Sequence, residues 1–137
     1  MGRFSVDFEV ANYRDVIDME KGTLAPAKVR RVQLRGVVDP GATRLVLPAS
    51  VVKRLGLPVT SKIKVRYADG RKGTRDLVDD AYVELLGRRR NFAAIVEPKR
   101  TSALIGAIML EDLDFIVDCT LQKLVPRDPR FIVSEVE

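Results

Sequence analysis

The sequence predicts an all-β fold with one or two short helices. Residues 4–10 alternate apolar and polar side chains, which is the pattern of a strand with one buried face. The same alternation returns over residues 62–67, and Asp69-Gly70 then supplies the residue types of a tight hairpin turn. Short alternating segments separated by turn residues are typical of sheet-rich domains. We therefore expect short strands to make up most of the chain.

The remaining elements follow in chain order. Residues 11–27 lose the alternation and contain Gly22 and Pro26, so we expect a loop or ragged hairpin there. Strand character returns over 28–38 and again at 45–47. Pro48 then suits the start of a helix of one or two turns, and Gly56 suits its C-terminal end.

The second half of the sequence predicts hairpins around another helix. The protruding hairpin at 62–78 is followed by a pair of strands, 81–86 and 91–97, joined across Gly87. Apolar residues at helical spacing predict a helix from Ser102 to about residue 113, with Ser102 as its N-cap. A closing hairpin is expected around Cys119 and Thr120.

Length and composition limit the classes of protein that fit. The chain has 137 residues, of which 46% are apolar, so we expect one core and a single domain over residues 1–137. No apolar run approaches the ~20 residues of a membrane helix, and the first ten residues alternate where a signal peptide is continuously apolar. We therefore expect a cytoplasmic protein with no membrane partner.

The counts of two residue types restrict the chemistry. The sequence has no histidine and one cysteine, Cys119. This excludes His-based triads, the usual metal-ligand clusters and an internal disulfide, and it leaves Cys119 without the partner of a nucleophile. The acidic cluster of Glu111, Asp112 and Asp114 is interpreted as solvated. We expect neither a metal nor a cofactor.

The net charge of +5 raises the question of a nucleic-acid partner. Basic residues concentrate in 27–35, where apolar residues interrupt them as on a strand, and in 87–92, which resembles a hairpin turn. We interpret both stretches as solvated surface and expect no nucleic-acid partner, because charge alone says more about solubility than about partners. A basic nucleic-acid-binding barrel stays a minor alternative.

One carboxylate interrupts an apolar run. In the stretch GVVDPGATRLVLP (36–48), Asp39 follows two valines and precedes Pro40 and Gly41. Asp-Pro-Gly favours an ordinary type II turn, with proline second and glycine third. The apolar residues on both sides suggest instead a carboxylate held in place for chemistry.

Four pieces of the sequence, in order, resemble the retropepsin-like aspartic proteases. They are VVDPGATRLVLP, VRYADGR, ALIGAIMLEDLDFIVD and KLVP, and they extend the resemblance from about Val29 to Pro126. The small bacterial single-domain members are the most similar. The resemblance implies a closed barrel with a flap hairpin.

The resemblance also implies a reaction and a set of site residues. Asp39 is the expected catalytic residue, and two carboxylates sharing one proton would activate a water that attacks a peptide bond. Since the chain carries one Asp-x-Gly turn, the second Asp39 must come from another copy, so a homodimer acting on a peptide or protein substrate is expected. Pro40, Gly41 and Ala42 would form the active-site loop, with the Gly41 N–H directed at the carboxylate.

The remaining expected site residues are in the flap and the helix. Ala68, Asp69 and Gly70 would form the flap that closes over an extended peptide. Gly106 would be structural, allowing close packing beneath the catalytic turn.

Pro40 departs from the family pattern, which has threonine or serine at this position. That hydroxyl normally bonds across the dimer axis to a backbone N–H of the partner loop, and proline lacks both the hydroxyl and its own N–H. The leading hypothesis is an aspartic endopeptidase. The alternative is a catalytically degenerate pseudo-protease that binds extended peptides or a partner protein without cutting.

Overall fold

Strands dominate the computed structural model, which describes residues 3–137. The strands are β1 (Phe4–Asn12), β2 (Arg31–Val38), β3 (Leu45–Pro48), β4 (Val59–Arg66), β5 (Lys72–Leu85), β6 (Arg88–Glu97), β7 (Ala103–Ile105), β8 (Phe115–Asp118) and β9 (Lys123–Pro126). The helices are α1 (Tyr13–Glu20), α2 (Ala49–Leu55) and α3 (Ala107–Asp112), with a 3₁₀ turn at Pro26–Lys28. Within residues 3–137, no helix is both long enough and apolar enough to cross a membrane.

Six strands close into a barrel, as the sequence predicts. Their order is β1-β2-β7-β3-β6-β5, and pairing of β5 with β1 closes the ring. β4 pairs with the first half of β5 and extends beyond the barrel as the outer strand of a hairpin. β8 and β9 form a separate two-stranded sheet. The barrel interior holds the main core, which includes fully buried Val10, Leu47, Val83 and Ile105.

Helix α2 follows the sequence prediction closely. Pro48 is its N-cap residue, and Gly56 ends it in the left-handed conformation with φ of 64°. Val51, Val52 and Leu55 turn one buried face towards the core.

The predicted loop over residues 11–27 is wrong over Tyr13–Glu20, which form helix α1 with Asn12 as its N-cap residue. The Asn12 side chain accepts a hydrogen bond from Asp15 N at 3.1 Å and donates one to Leu55 O at 2.8 Å. Val16 packs with Ala11 and Val29 in a small second cluster outside the barrel. An asparagine N-cap with an acidic residue three positions later is a recognised helix start. Sequence reasoning missed it because it considered only the end of the strand alternation. The structure thus has three α-helices in residues 3–137, one more than expected.

The helix expected from Ser102 begins five residues later, at Ala107. Residues 103–105 instead form β7, which pairs in parallel with Gly36–Val38 of β2 and contacts β3. Leu104 and Ile108 have helical spacing, but residues 103–105 lie between β2 and β3 and pair with both, which completes the barrel. Tertiary pairing therefore overrides local periodicity.

The basic stretch at 87–92 is mostly strand. Leu86 and Gly87 alone form the turn, with φ of 50° and 84°. Arg88 donates hydrogen bonds to backbone carbonyls of Leu113, Asp114, Asp128 and Phe131, so it fixes the C-terminal segment to the barrel.

The acidic cluster is only partly solvated. Glu111 and Asp112 are exposed, but Asp114 is buried. Asp114 pairs with Arg127 at 2.8 Å and accepts a hydrogen bond from Val133 N at 3.0 Å. Asp114 therefore fixes the chain end and is not a solvated carboxylate.

Asp15→Asn is expected to destabilise the fold by about 2 kcal/mol, because Asp15 makes a bidentate, largely buried pair with half-exposed Arg30. The hydrogen bonds from the Arg30 side chain lower the pKa of Asp15 below 3.8. A lowered carboxyl pKa stabilises the fold fully above about pH 5, and this stabilisation is lost as the pH falls through the folded-state pKa. Urea unfolding between about pH 3 and 7 measures both effects.

The exposed Asp7–Arg35 pair is the matched control. Asp7→Asn should change the free energy of unfolding by about 0.5 kcal/mol or less. If the Asp15 and Asp7 variants unfold at the same urea concentration, the proposed contribution of the Asp15–Arg30 pair is wrong.

Candidate active site

Asp39 lies where β2 leaves the barrel. Its backbone N–H donates to Ile105 O at 3.0 Å, continuing the parallel pairing of β2 with β7 by one residue. Its side chain is 19% exposed. Pairing with β7 thus fixes the backbone of Asp39, and its carboxylate lies at the end of the barrel.

The loop after Asp39 is a tight turn that holds the carboxylate. Ala42 N donates to Asp39 O at 3.0 Å, and Gly41 N donates to Asp39 Oδ1, also at 3.0 Å. The turn is not type II, since Gly41 is not among the glycines with positive φ. Pro40 and Gly41 are exposed. The main chain therefore orients Asp39 without help from the side chain at position 40.

Gly106 lies directly beneath this loop. Ala107 N donates to Ala42 O at 2.8 Å, and Ile108 N donates to Thr43 O at 3.0 Å. A Cβ atom at position 106 would lie 2.6 Å from Arg44 O and 2.8 Å from Ala42 O. Only glycine allows the start of α3 to approach the loop after Asp39 this closely.

Gly106→Ala is expected to destabilise the protein by about 1–3 kcal/mol, because the new methyl group overlaps backbone atoms that cannot rotate away. Gly73→Ala is the matched control, since its Cβ would meet the end of the Arg75 side chain at 3.1 Å and no backbone atom that closely. Thermal or urea unfolding should separate the two variants. Equal stability of the Gly106 variant and the native chain would contradict the packing role.

Arg3 is the cation nearest Asp39 among the described ion pairs. Arg3 Nη2 lies 3.6 Å from Asp39 Oδ2, and the Arg3 side chain is 65% exposed. Arg44, five positions after Asp39, lines a neighbouring cleft and forms no ion pair with Asp39 within residues 3–137. An exposed pair of this length contributes little stability and separates readily.

The hairpin of β4 and β5 projects over the site. Tyr67 N donates to Arg71 O and Gly70 N donates to Tyr67 O, both at 2.9 Å, and Gly70 has φ of 89°. The Asp69 side chain accepts hydrogen bonds from Arg71 N and Arg71 Nε, and the backbone bond contributes most to lowering the pKa of Asp69. The tip is therefore a tight turn as predicted, but of the Asp69-Gly70 pair only Gly70 has the expected positive φ.

A cleft of about 680 Å³ lies between the loop after Asp39 and this hairpin. Gly41, Ala42 and Thr43 form one side, and the strand residues around Val65 form the other. Its remaining apolar lining residues are Val46, Ile63, Ile95 and Leu104. Asp39 is not itself a lining residue, but Gly41 and Ala42 of its loop are, so the cleft can hold an extended chain beside the loop that carries Asp39.

The structure brings most of the expected site residues together. Gly41 and Ala42 line the cleft, and Gly106 supports the loop from below. Within the hairpin, Tyr67 and Arg71 line the cleft, whereas Ala68, Asp69 and Gly70 at the tip do not. A second carboxylate beside Asp39 is not supplied by residues 3–137 of the same chain.

Sequence reasoning missed a polar cluster that ties the hairpin to the barrel. The Tyr67 hydroxyl donates to Glu97 Oε2, and Arg75 Nε donates to Glu97 Oε1 at 3.0 Å. Burial first, and then the hydrogen bond to Glu97, raise the pKa of Tyr67. Glu97 simply ends a predicted strand, so nothing in the sequence marks it.

Comparisons with known proteins agree with this geometry. A family model described as aspartyl protease matches residues 25–109, which include Asp39, the hairpin and Gly106. A search of curated proteins gives no match. The chain is similar in structure to the simian foamy virus (mac) protease, at 15% identity and a TM-score of 0.50, over 78% of this chain and 91% of the viral one. At that identity the structural likeness establishes a common fold.

Proposed function

The chain belongs to the aspartyl protease family, and we propose that it is an endopeptidase whose catalytic dyad is formed by Asp39 of two identical chains. The observation that carries the proposal is the geometry at Asp39. The Gly41 N–H fixes the carboxylate, and Gly41 and Ala42 of the same loop line a cleft whose other side is the hairpin. The expected retropepsin-like closed barrel is confirmed.

A homodimer is proposed because one chain provides one of the two aspartates that the dyad needs. Each chain carries one Asp-x-Gly turn, and the exposed Pro40 and Gly41 leave that turn accessible to a second copy. A two-fold axis beside the turn would bring both Asp39 side chains together.

The single barrel core supports one domain over residues 1–137.

The proposed reaction is hydrolysis of a peptide bond by water. Two carboxylates about 3 Å apart cannot both be ionised comfortably, so the pair holds one proton. The ionised Asp39 accepts a proton from the attacking water, and the protonated Asp39 of the other chain donates to the substrate carbonyl oxygen, which gives a tetrahedral diol. The C–N bond then breaks as the first Asp39 passes its proton to the leaving nitrogen and a diol hydroxyl returns a proton to the second. The two apparent pKa values belong to the pair.

The substrate is proposed to bind as an extended strand. The hairpin residues 63–67 offer backbone groups along one side of the cleft, and the apolar lining accepts alternate side chains. Movement of the hairpin would admit the peptide and then exclude water. Ala68, Asp69 and Gly70 shape the tip of this flap.

Pro40 supports a second candidate function, a pseudo-protease that binds extended peptides or a partner protein. Proline at this position supplies neither a hydroxyl nor an N–H to a neighbouring copy. The Arg3–Asp39 pair would also have to separate before two Asp39 side chains meet.

Digestion of a diverse peptide mixture from about pH 3 to 7, read by mass spectrometry, tests the proposal against this alternative. Cleavage by the native chain supports the endopeptidase. Cleavage that appears only after Pro40→Thr identifies a pseudo-protease and overturns the leading proposal. Cleavage that persists in Asp39→Asn assigns the activity to a contaminant or another site.

A further inference from the structure

The cleft carries an excess of positive charge. Its acidic lining residue is Glu97, whose carboxylate already accepts hydrogen bonds from Tyr67 and Arg75. Its cationic lining residues are Arg44, Lys64, Arg66, Arg71 and Arg100. A bound chain therefore meets cations that Glu97 does not neutralise.

Two arginines of the cleft, Arg44 and Arg66, have no side-chain hydrogen bond or ion pair within residues 3–137, and of these two Arg66 is exposed. Arg71 is paired with Asp69 at 2.8 Å, and Arg100 donates to Ser102 O at 2.9 Å. Arg44 is half-buried, five positions after Asp39, and the described part of the chain gives its guanidinium neither a hydrogen bond nor an ion pair. A partly desolvated guanidinium without a partner is a ready site for a carboxylate, which it can bind through two parallel hydrogen bonds.

We infer that the cleft selects extended peptides with aspartate or glutamate close to the bond beside Asp39, and that Arg44 determines this specificity. The inference rests on the proposed function in so far as that bond is the one hydrolysed. The carboxylate of the peptide would pair with Arg44, while neighbouring apolar side chains occupy the lining around Val46, Ile95 and Leu104.

The lining favours a peptide over a single-stranded nucleic acid. Binding of unpaired bases needs exposed aromatic faces for stacking. Tyr67 is the aromatic lining residue, and the guanidinium carbons of Arg71 and Arg75 lie 4.9 and 5.7 Å from its ring centroid. The ring is thus already in contact with cations, and its hydroxyl is bonded to Glu97.

Fluorescence anisotropy of labelled short peptides tests the inference, with Asp39→Asn as the background so that every peptide stays intact. Three peptides share the same apolar residues and differ by Glu, Gln or Lys at two central positions. At about pH 6, where the Glu side chains are ionised, the Glu peptide should bind about tenfold more tightly than the Gln peptide. High salt should reduce this preference.

Variants of Arg44 provide the decisive comparison. Adding Arg44→Gln should remove the preference, and adding Arg44→Glu should transfer it to the Lys peptide. Arg54→Gln is the matched control, because Arg54 is exposed on α2 outside the cleft and its loss changes the net charge equally. The preference should survive in that control.

Several outcomes would overturn the inference. They are equal affinity for the Glu and Gln peptides, binding of none of the peptides, equal loss in the Arg54 and Arg44 variants, or equally tight competition by a single-stranded DNA oligonucleotide. Because binding is read without cleavage, a native chain that never cuts but prefers the Glu peptide contradicts the endopeptidase alone. A chain that cuts without regard to charge contradicts the specificity alone.

Discussion

Asp39→Asn is expected to reduce peptide cleavage by at least about 10²–10⁴-fold, the usual contribution of a general acid or base. The amide has the shape of the carboxylate and can still accept the hydrogen bond from Gly41 N, which is 3.0 Å long in the native chain. It cannot take a proton from water or share one with a second carboxylate. The rate of cleavage of one identified peptide measures the loss.

Asp18→Asn is the matched control for this result. Asp18 lies on the exposed side of α1, away from the residues that line the cleft, and the substitution removes the same charge. The control should cleave at the native rate, and both variants should unfold at the native urea concentration. Residual cleavage by Asp39→Asn at even a tenth of the native rate would show that Asp39 is not the catalytic group.

Pro40→Thr is expected to increase cleavage by up to about 100-fold, because small misplacements at a catalytic centre cost that much in rate. The threonine hydroxyl would bond to the partner loop and receive the same bond in return. Two added hydrogen bonds at about 1 kcal/mol each would also tighten the homodimer roughly 30-fold. Cleavage rates and sedimentation measured over a dilution series separate the two effects.

Pro40→Ala separates the hydroxyl from the loss of proline. Alanine removes the ring and restores an N–H but supplies no hydroxyl, so no gain in dimer affinity is expected. An equal gain in the alanine and threonine variants would mean that proline rigidity, not the missing hydroxyl, limits the native loop. A native chain already as active as Pro40→Thr would show that the Gly41 N–H alone positions Asp39 adequately.

The sequence predicted a helix or turn correctly where its capping and turn residues favour the same structure as the packing of the barrel. Helix α2 has proline at its start and glycine at its end, and the hairpin tip has Gly70 where the turn requires positive φ. The predictions failed where the barrel overrides local pattern, as when residues 103–105 complete the sheet although they continue a helical spacing.

The candidate site could be predicted only as far as its motif extends. Asp39, Gly41 and Gly106 stand in recognisable stretches, and the structure places them in one loop and its support. Glu97 and Arg75 are 22 positions apart, and their pairing depends on the register of β5 with β6 and the path of the hairpin. Single-sequence patterns carry no information about such a register.

Mixing the native chain with increasing amounts of the Asp39→Asn variant tests the shared dyad most directly. If the site is built from both chains of a homodimer, mixed dimers hold one aspartate and are inactive. After exchange, activity from a fixed amount of native chain should then fall to about one half at equal amounts and about one tenth at ninefold excess of variant. Activity that stays constant as the variant is added would show that each chain works alone and would contradict the dyad.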